Sequence, residues 1–243
     1  MTVQKALKKD IRRRAAETGE KYTEARRALL APSEEPLAGA EVDRQVQHLI
    51  ERGYAELAGA TPEAFRSVFD PLAGAVGSAS GHELVEWRRI PLVVVPGREL
   101  VPTAGIALRI ERRGVGPTSM ISAEEFADYV PIESVPMPAS PAYALIDVDT
   151  GADLVNVTPE DALREIEARG RSPLTLEEGI AVVTQFPESL VKNACFSLPG
   201  SRRGDRRVTA LWLSKGAPKL GWCFAGAPHT WLGSASCSGR IGW

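Results

Sequence analysis

With 243 residues, 44% of them apolar and 25% charged, the chain has an ordinary globular composition and enough length for one body, or two small lobes, around a sizeable core. Its formal charge of −2 conceals a split: the first thirty residues hold nine Lys/Arg against four Asp/Glu and the remainder twenty against twenty-seven, so a basic arm precedes an acidic body. No apolar run approaches the roughly 18 residues that cross a bilayer, no apolar stretch follows Lys5, Lys8 and Lys9 as in a secretory leader, and three cysteines make no disulfide framework. Membrane-spanning and disulfide-stapled classes are therefore excluded, and a reducing, cytoplasmic setting is expected.

Val3, Leu7, Ile11 and Ala15 recur every four residues, one stripe of a helix, while Lys5, Lys8, Lys9, Arg12 and Arg13 fall off it. Gly19 can end this helix, and Thr23 can cap a second, from Glu24 to Leu30, that stops before Pro32. Residues 1–31 thus read as a basic helical hairpin arm, 32–40, with Pro32 and Pro36, as a linker, and 41–243 as the body. In the body, Val42, Val46, Leu49 and Ile50 keep helical spacing up to Gly53, and Thr61-Pro62 opens a helix whose buried face is Phe65, Val68 and Phe69. After a Gly/Ala/Ser-rich stretch, Pro91 to Val95, Gly105 to Ile110, Thr118 to Ile121 and Ala142 to Val148 are strand candidates.

Ser122 and Glu125 form a capping box, Thr158-Pro159 starts a helix that ends near Gly170, and Thr175 with Glu178 caps another whose inward residues are Leu176, Ile180 and Val183. Cys195 to Leu198, Val208 to Ser214 and Leu220 to Phe224 return to strand, the last two joined through Lys215 to Lys219 as a hairpin with a longer turn. The order predicts an α+β fold: the N-terminal hairpin, helices, then a mixed, mostly antiparallel sheet with segregated helices.

The polar chemistry concentrates after Asn193, where all three cysteines, four of five tryptophans and the loop from Ser201 to Arg207 lie. Cys223 and His229 can approach across a turn, and an imidazole beside a thiol makes a nucleophile; the alternative is a small buried hydrophobe between Trp222 and Phe224. Cys195, Cys223, His229 and Cys237 are zinc-ligand types but lack any Cys-x-x-Cys knuckle, so no metal site is expected. Arg203 and Arg206 around Asp205 can clamp an anion or form a solvated hairpin. Asp147 and Asp149 share a strand face that can bind a cation or merely close a turn, and Asp161 is a further carboxylate. His48 and His82 have no partner nearby in sequence. The sequence names no cofactor.

Gly170-Arg171-Ser172-Pro173-Leu174-Thr175, the run from Gly200 to Arg207, and Pro218 through Cys223 to Pro228-His229-Thr230-Trp231-Leu232-Gly233 resemble a bacterial family catalogued as domain of unknown function 5701. The resemblance covers most of the body, from about Glu41 to Cys237, and implies one recurring unit without bringing an activity, cofactor or catalytic residue. The N-terminal hairpin, with Thr18-Gly19-Glu20 and Tyr22-Thr23, looks like a short module that accompanies other bacterial proteins.

Two functions are expected. The first is a binding or regulatory protein whose basic arm meets nucleic acid or a ribonucleoprotein, a protein partner, or the acidic body itself, and not a membrane. The second is an enzyme using Cys223 and His229, with Arg203 and Arg206 lining an anion pocket.

Overall fold

The computed structural model describes residues 21–22, 34–76 and 88–243. The arm, with Lys5, Lys8, Lys9, Arg12 and Arg13, lies outside the described residues, as does His82. Helix α1 (Glu34–Glu51) occupies most of the segment expected as a linker. Pro36 stands in its first turn, where the N–H that proline lacks has no intrahelical partner to lose. Ala38, Val42, Val46 and Leu49 form the buried stripe. Helices α2 (Tyr54–Leu57), α3 (Pro62–Ser67) and α4 (Asp70–Val76) follow, and Thr61 caps α3 by accepting from the Ala64 N–H.

The first sheet runs in the order β1 (Arg89–Pro96), β4 (Ala142–Asp149), β11 (Ser236–Cys237), β5 (Ser172–Pro173), with β12 (Gly239–Ile241) also on β4. The second runs β10 (Leu232–Ser234), β6 (Cys195–Leu198), β8 (Arg207–Ser214), β9 (Ala217–Phe224), β2 (Thr118–Ser119). Its inner pairs are antiparallel, while β10 and β2 join in parallel. A ribbon of β3 (Val130–Pro131) and β7 (Ser201–Arg202) completes the strands of the described residues. The α+β class holds, with the strands divided between two sheets and a ribbon instead of gathered in one sheet.

Two local expectations change. Gly105 to Ile110 is not a strand: α5 (Thr103–Ala107) starts after Pro102, and Ile106, Ala107 and Ile110 are buried while Leu108 is 68% exposed. That spacing is helical, although the alternation of Ile106, Leu108 and Ile110 also fits period two. The β8–β9 connection is also tighter than expected. Ser214 pairs with Ala217, and Lys215 (φ 51°) and Gly216 (φ 86°) make a two-residue turn of the left-handed kind that suits twisted hairpins.

Helix α6 (Pro159–Ala168) is capped by Thr158 and ends before Gly170 at φ 66°. Helix α7 (Leu176–Gln185) is the centre of the molecule. All ten of its residues are buried, and it packs against β1 of one sheet and β8 of the other. A helix apolar on every side demands such a position. Gly179 lets Leu198 approach, because a Cβ there would meet both Leu198 Cδ atoms at 2.4 Å. Polar residues are buried at both ends of the helix, Glu177 and Glu178 in the first turn and Thr184 and Gln185 in the last.

Candidate functional site

The first turn of α7 is fixed locally. Thr175 Oγ1 accepts from the Glu178 N–H, and Glu178 Oε2 accepts from the Thr175 N–H at 2.7 Å, the reciprocal arrangement that the Thr-x-x-Glu spacing predicts. Ser201 Oγ accepts from the Leu176 N–H at 2.9 Å. The helix end thus has its leading donors occupied. An acidic residue here also faces the positive end of the helix dipole.

Glu178 does more than cap. Strand β12 brings Arg240 across β4 so that its guanidinium meets the carboxylate through two parallel bonds, Nε to Oε1 at 2.6 Å and Nη2 to Oε2 at 2.8 Å. Both side chains are at most 1% exposed. Arg240 spends its other donors on Ser172 Oγ and the Pro173 carbonyl, and Tyr143 donates its phenol to Glu178 Oε1 at 3.0 Å. Burial opposes the charge of Arg240, but the Glu178 carboxylate outweighs it and raises the guanidinium pKa. Burial and the Glu178 charge hold the Tyr143 phenol well above its ordinary value, so it remains a donor. With its lone pairs engaged by four donors, Glu178 is a structural anion and not a free base.

Glu177, one residue earlier, is different. Its Oε1 accepts from Thr103 Oγ1 at 2.7 Å and from Arg98 Nη2, which also donates to the Tyr129 carbonyl at 2.6 Å. Its Oε2 has no partner among the described residues. Glu177 and Arg98 line a cavity of about 400 Å³, together with Tyr143, Met137, the exposed Glu99 and the prolines 131, 138 and 141. Arg98 and Glu99 also line a second hollow of about 330 Å³, bounded by Thr103, Ala104 and Phe126. A cavity of this size, mostly apolar and with an ion pair in its wall, is what a small ligand needs.

The residues singled out from the sequence are placed elsewhere. Arg203 donates to Glu125 Oε1 at 2.5 Å, lies 3.1 Å from Asp128, and stacks 5.7 Å from the Tyr129 ring. Arg207 engages Asp205 at 2.9 Å and lies over Trp222 at 5.1 Å. Asp205 also accepts the Arg207 N–H, and that bond, ahead of the guanidiniums, holds its carboxyl below the usual range. The loop's Arg203 and Arg207 are therefore already paired, and Arg206 is exposed.

Cys223 faces Val208 across β8 and β9 and is 6% exposed. Burial pushes its thiol up to about 11, against a weaker opposing effect of Arg202. It makes no hydrogen bond to His229, whose ring packs 5.3 Å from Trp231 and whose Nε2 is buried without a partner. Cys195 and Cys237 are buried thiols as well. Among the described residues no group of three or more His, Cys, Asp or Glu is arranged to hold a metal ion.

Asp147 binds Arg171 at 2.7 Å and Arg89 at 3.4 Å, and Asp149 accepts the Gly151 N–H at 2.8 Å, the turn-closing alternative. Asp161 donates its N–H to the capping Thr158 Oγ1 and accepts that hydroxyl on its carboxylate, and His48 meets Gln185 Oε1 at 3.2 Å. Sequence reasoning named Glu178 only as a cap and missed Glu177, Arg98 and Arg240. The available signal was the pair of adjacent acids at the head of a mostly apolar helix.

A model of a family of unknown function, DUF5701, matches residues 48–243. No curated protein and no solved structure matches the chain.

Proposed function

We propose, for a chain that belongs to the family of unknown function DUF5701, a cytoplasmic binding or regulatory role in which the basic N-terminal arm contacts an anionic partner, nucleic acid or a ribonucleoprotein. The observation that carries the reading is the distribution of positive charge. At least thirteen of the seventeen arginines from Arg44 to Arg240 lie within 4.0 Å of a carboxylate of the same chain. The body's guanidiniums are largely spent on its own acids, while the surplus belongs to the arm. An arm with Tyr22 as its aromatic residue favours phosphate contact over base stacking.

The test is anisotropy titration of single-stranded RNA and duplex DNA across a salt series. The full-length protein is compared with a variant in which Lys5, Lys8, Lys9, Arg12 and Arg13 are all Gln. If each cation meets a phosphate, the slope of log affinity against log salt shrinks by about 3.5 to 4.5 in the variant. Absence of binding at low salt, or an unchanged slope, removes the reading.

A further inference from the structure

We propose that the cavity beside Glu177 and Arg98 binds a free α-amino acid with an apolar side chain. The first support is charge balance. Glu177 is 4% exposed and Arg98 neutralises it, so the buried part of the cavity wall is already paired; Glu99, the other charged residue of the lining, is exposed and its charge is screened by solvent. A lone ammonium or a lone carboxylate would bring an uncompensated charge into it, whereas a zwitterion brings none.

The second is the inventory of unused polar atoms. Among the described residues, Glu177 Oε2 is an acceptor without a partner, and the Arg98 guanidinium commits only Nη2, leaving Nε and Nη1 without partners. Acceptor and donor are members of one ion pair, so they lie side by side, as the ammonium and carboxylate of an amino acid do. The other side-chain hydroxyls of the wall are committed, Tyr143 to Glu178 and Ser140 to the Ala142 carbonyl at 2.7 Å.

The third is the remaining lining. Prolines 131, 138 and 141 offer no N–H, and Met137 adds an adaptable thioether, which suits an aliphatic or thioether side chain better than a polar one. A volume of about 400 Å³ lies within the range of small-ligand sites and does not call for a polymer. This site is independent of the arm: it sits in the body, so either proposal can fail without the other.

The experiment is isothermal titration of the full-length protein with L-leucine, L-methionine, L-valine and L-phenylalanine. The comparators are isopentylamine and 4-methylpentanoate, each of which carries one of the two charges. The expected result is saturable one-to-one binding of at least one amino acid, with both comparators weaker by at least about tenfold. Glu177→Gln, which keeps an acceptor toward Thr103 but removes the charge, is expected to weaken binding by at least about tenfold. Because that variant perturbs a buried pair, Met137→Trp at the 40% exposed rim serves as a second; it fills the cavity without touching the core and is expected to abolish binding. No binding by any of the four amino acids at about 10 mM overturns the proposal. Isopentylamine or 4-methylpentanoate binding as tightly as leucine, or undiminished binding in a folded Met137→Trp variant, overturns it equally.

Discussion

A thiol's chemistry depends on what surrounds it, and Cys223 shows how far sequence proximity can mislead. His229 stands six positions away, close enough to suggest an activated pair, yet the strand directs the sulfur into a layer shared with Val208. There burial raises its pKa to about 11. At neutral pH about one such thiol in ten thousand is ionised. Iodoacetamide treatment of the native protein, followed by peptide mapping, is therefore expected to modify Cys223 slowly. The rate should climb steadily with pH to about 10 without levelling off. Cys237, raised to about 12 for the same reason, is expected to behave alike. A Cys223 rate that plateaus near pH 7 would show a depressed pKa and return the nucleophile to consideration.

Between elements, Arg240 is the tie that holds the last strand to the first turn of α7. Without it, Glu178 would keep its charge inside the core with only neutral donors. Breaking one side of such a buried pair costs about 3–5 kcal/mol. Arg240→Ala is thus expected to lower unfolding free energy by that amount in urea titrations, and adding Glu178→Gln should recover part of the loss. Additivity of the two changes would mean that the pair is not coupled. The sequence discloses half of this arrangement. Thr175 and Glu178 are three residues apart, so their mutual capping is written locally, as are the caps at Thr61 and Thr158. Arg240 reaches Glu178 across 62 positions and Arg98 reaches Glu177 across 79, and no local rule registers contacts between segments that only the folded sheets bring together. The same limit explains α5. In Gly105 to Ile110 the apolar spacing does not by itself decide between the two periods, and in the fold the segment packs with Leu57 close beside Gly105.

For the whole molecule, arginine–carboxylate pairs laid over a core with buried phenols and thiols imply a stability that falls at both ends of the pH scale. On the acid side, Glu125 is held below its ordinary value by the Ser122 N–H and then Arg203, Asp205 by the Arg207 N–H, and Glu188 by Arg113. Depressed folded-state values mean that the unfolded chain takes up protons first as pH falls. The stabilisation is complete above the ordinary values of 4.5 and 3.8 and is lost as pH drops through the lower folded ones. On the alkaline side the sign reverses. Burial raises Cys223 to about 11 and Tyr54 to about 12, so the unfolded chain loses those protons first, near the ordinary values of 9.0 and 10.0, and stability declines from there upward. Thermal unfolding followed by circular dichroism is accordingly expected to give a level Tm from about pH 5 to about pH 8.5, with a fall on either side. The two limbs can be told apart with salt. The acid limb rests on partly exposed pairs, and high ionic strength should flatten it, whereas the alkaline limb rests on desolvation inside the core, which salt does not reach. A Tm independent of pH down to about 3 would mean that the arginine network contributes nothing to folding and that the central helix and its two sheets carry the stability alone.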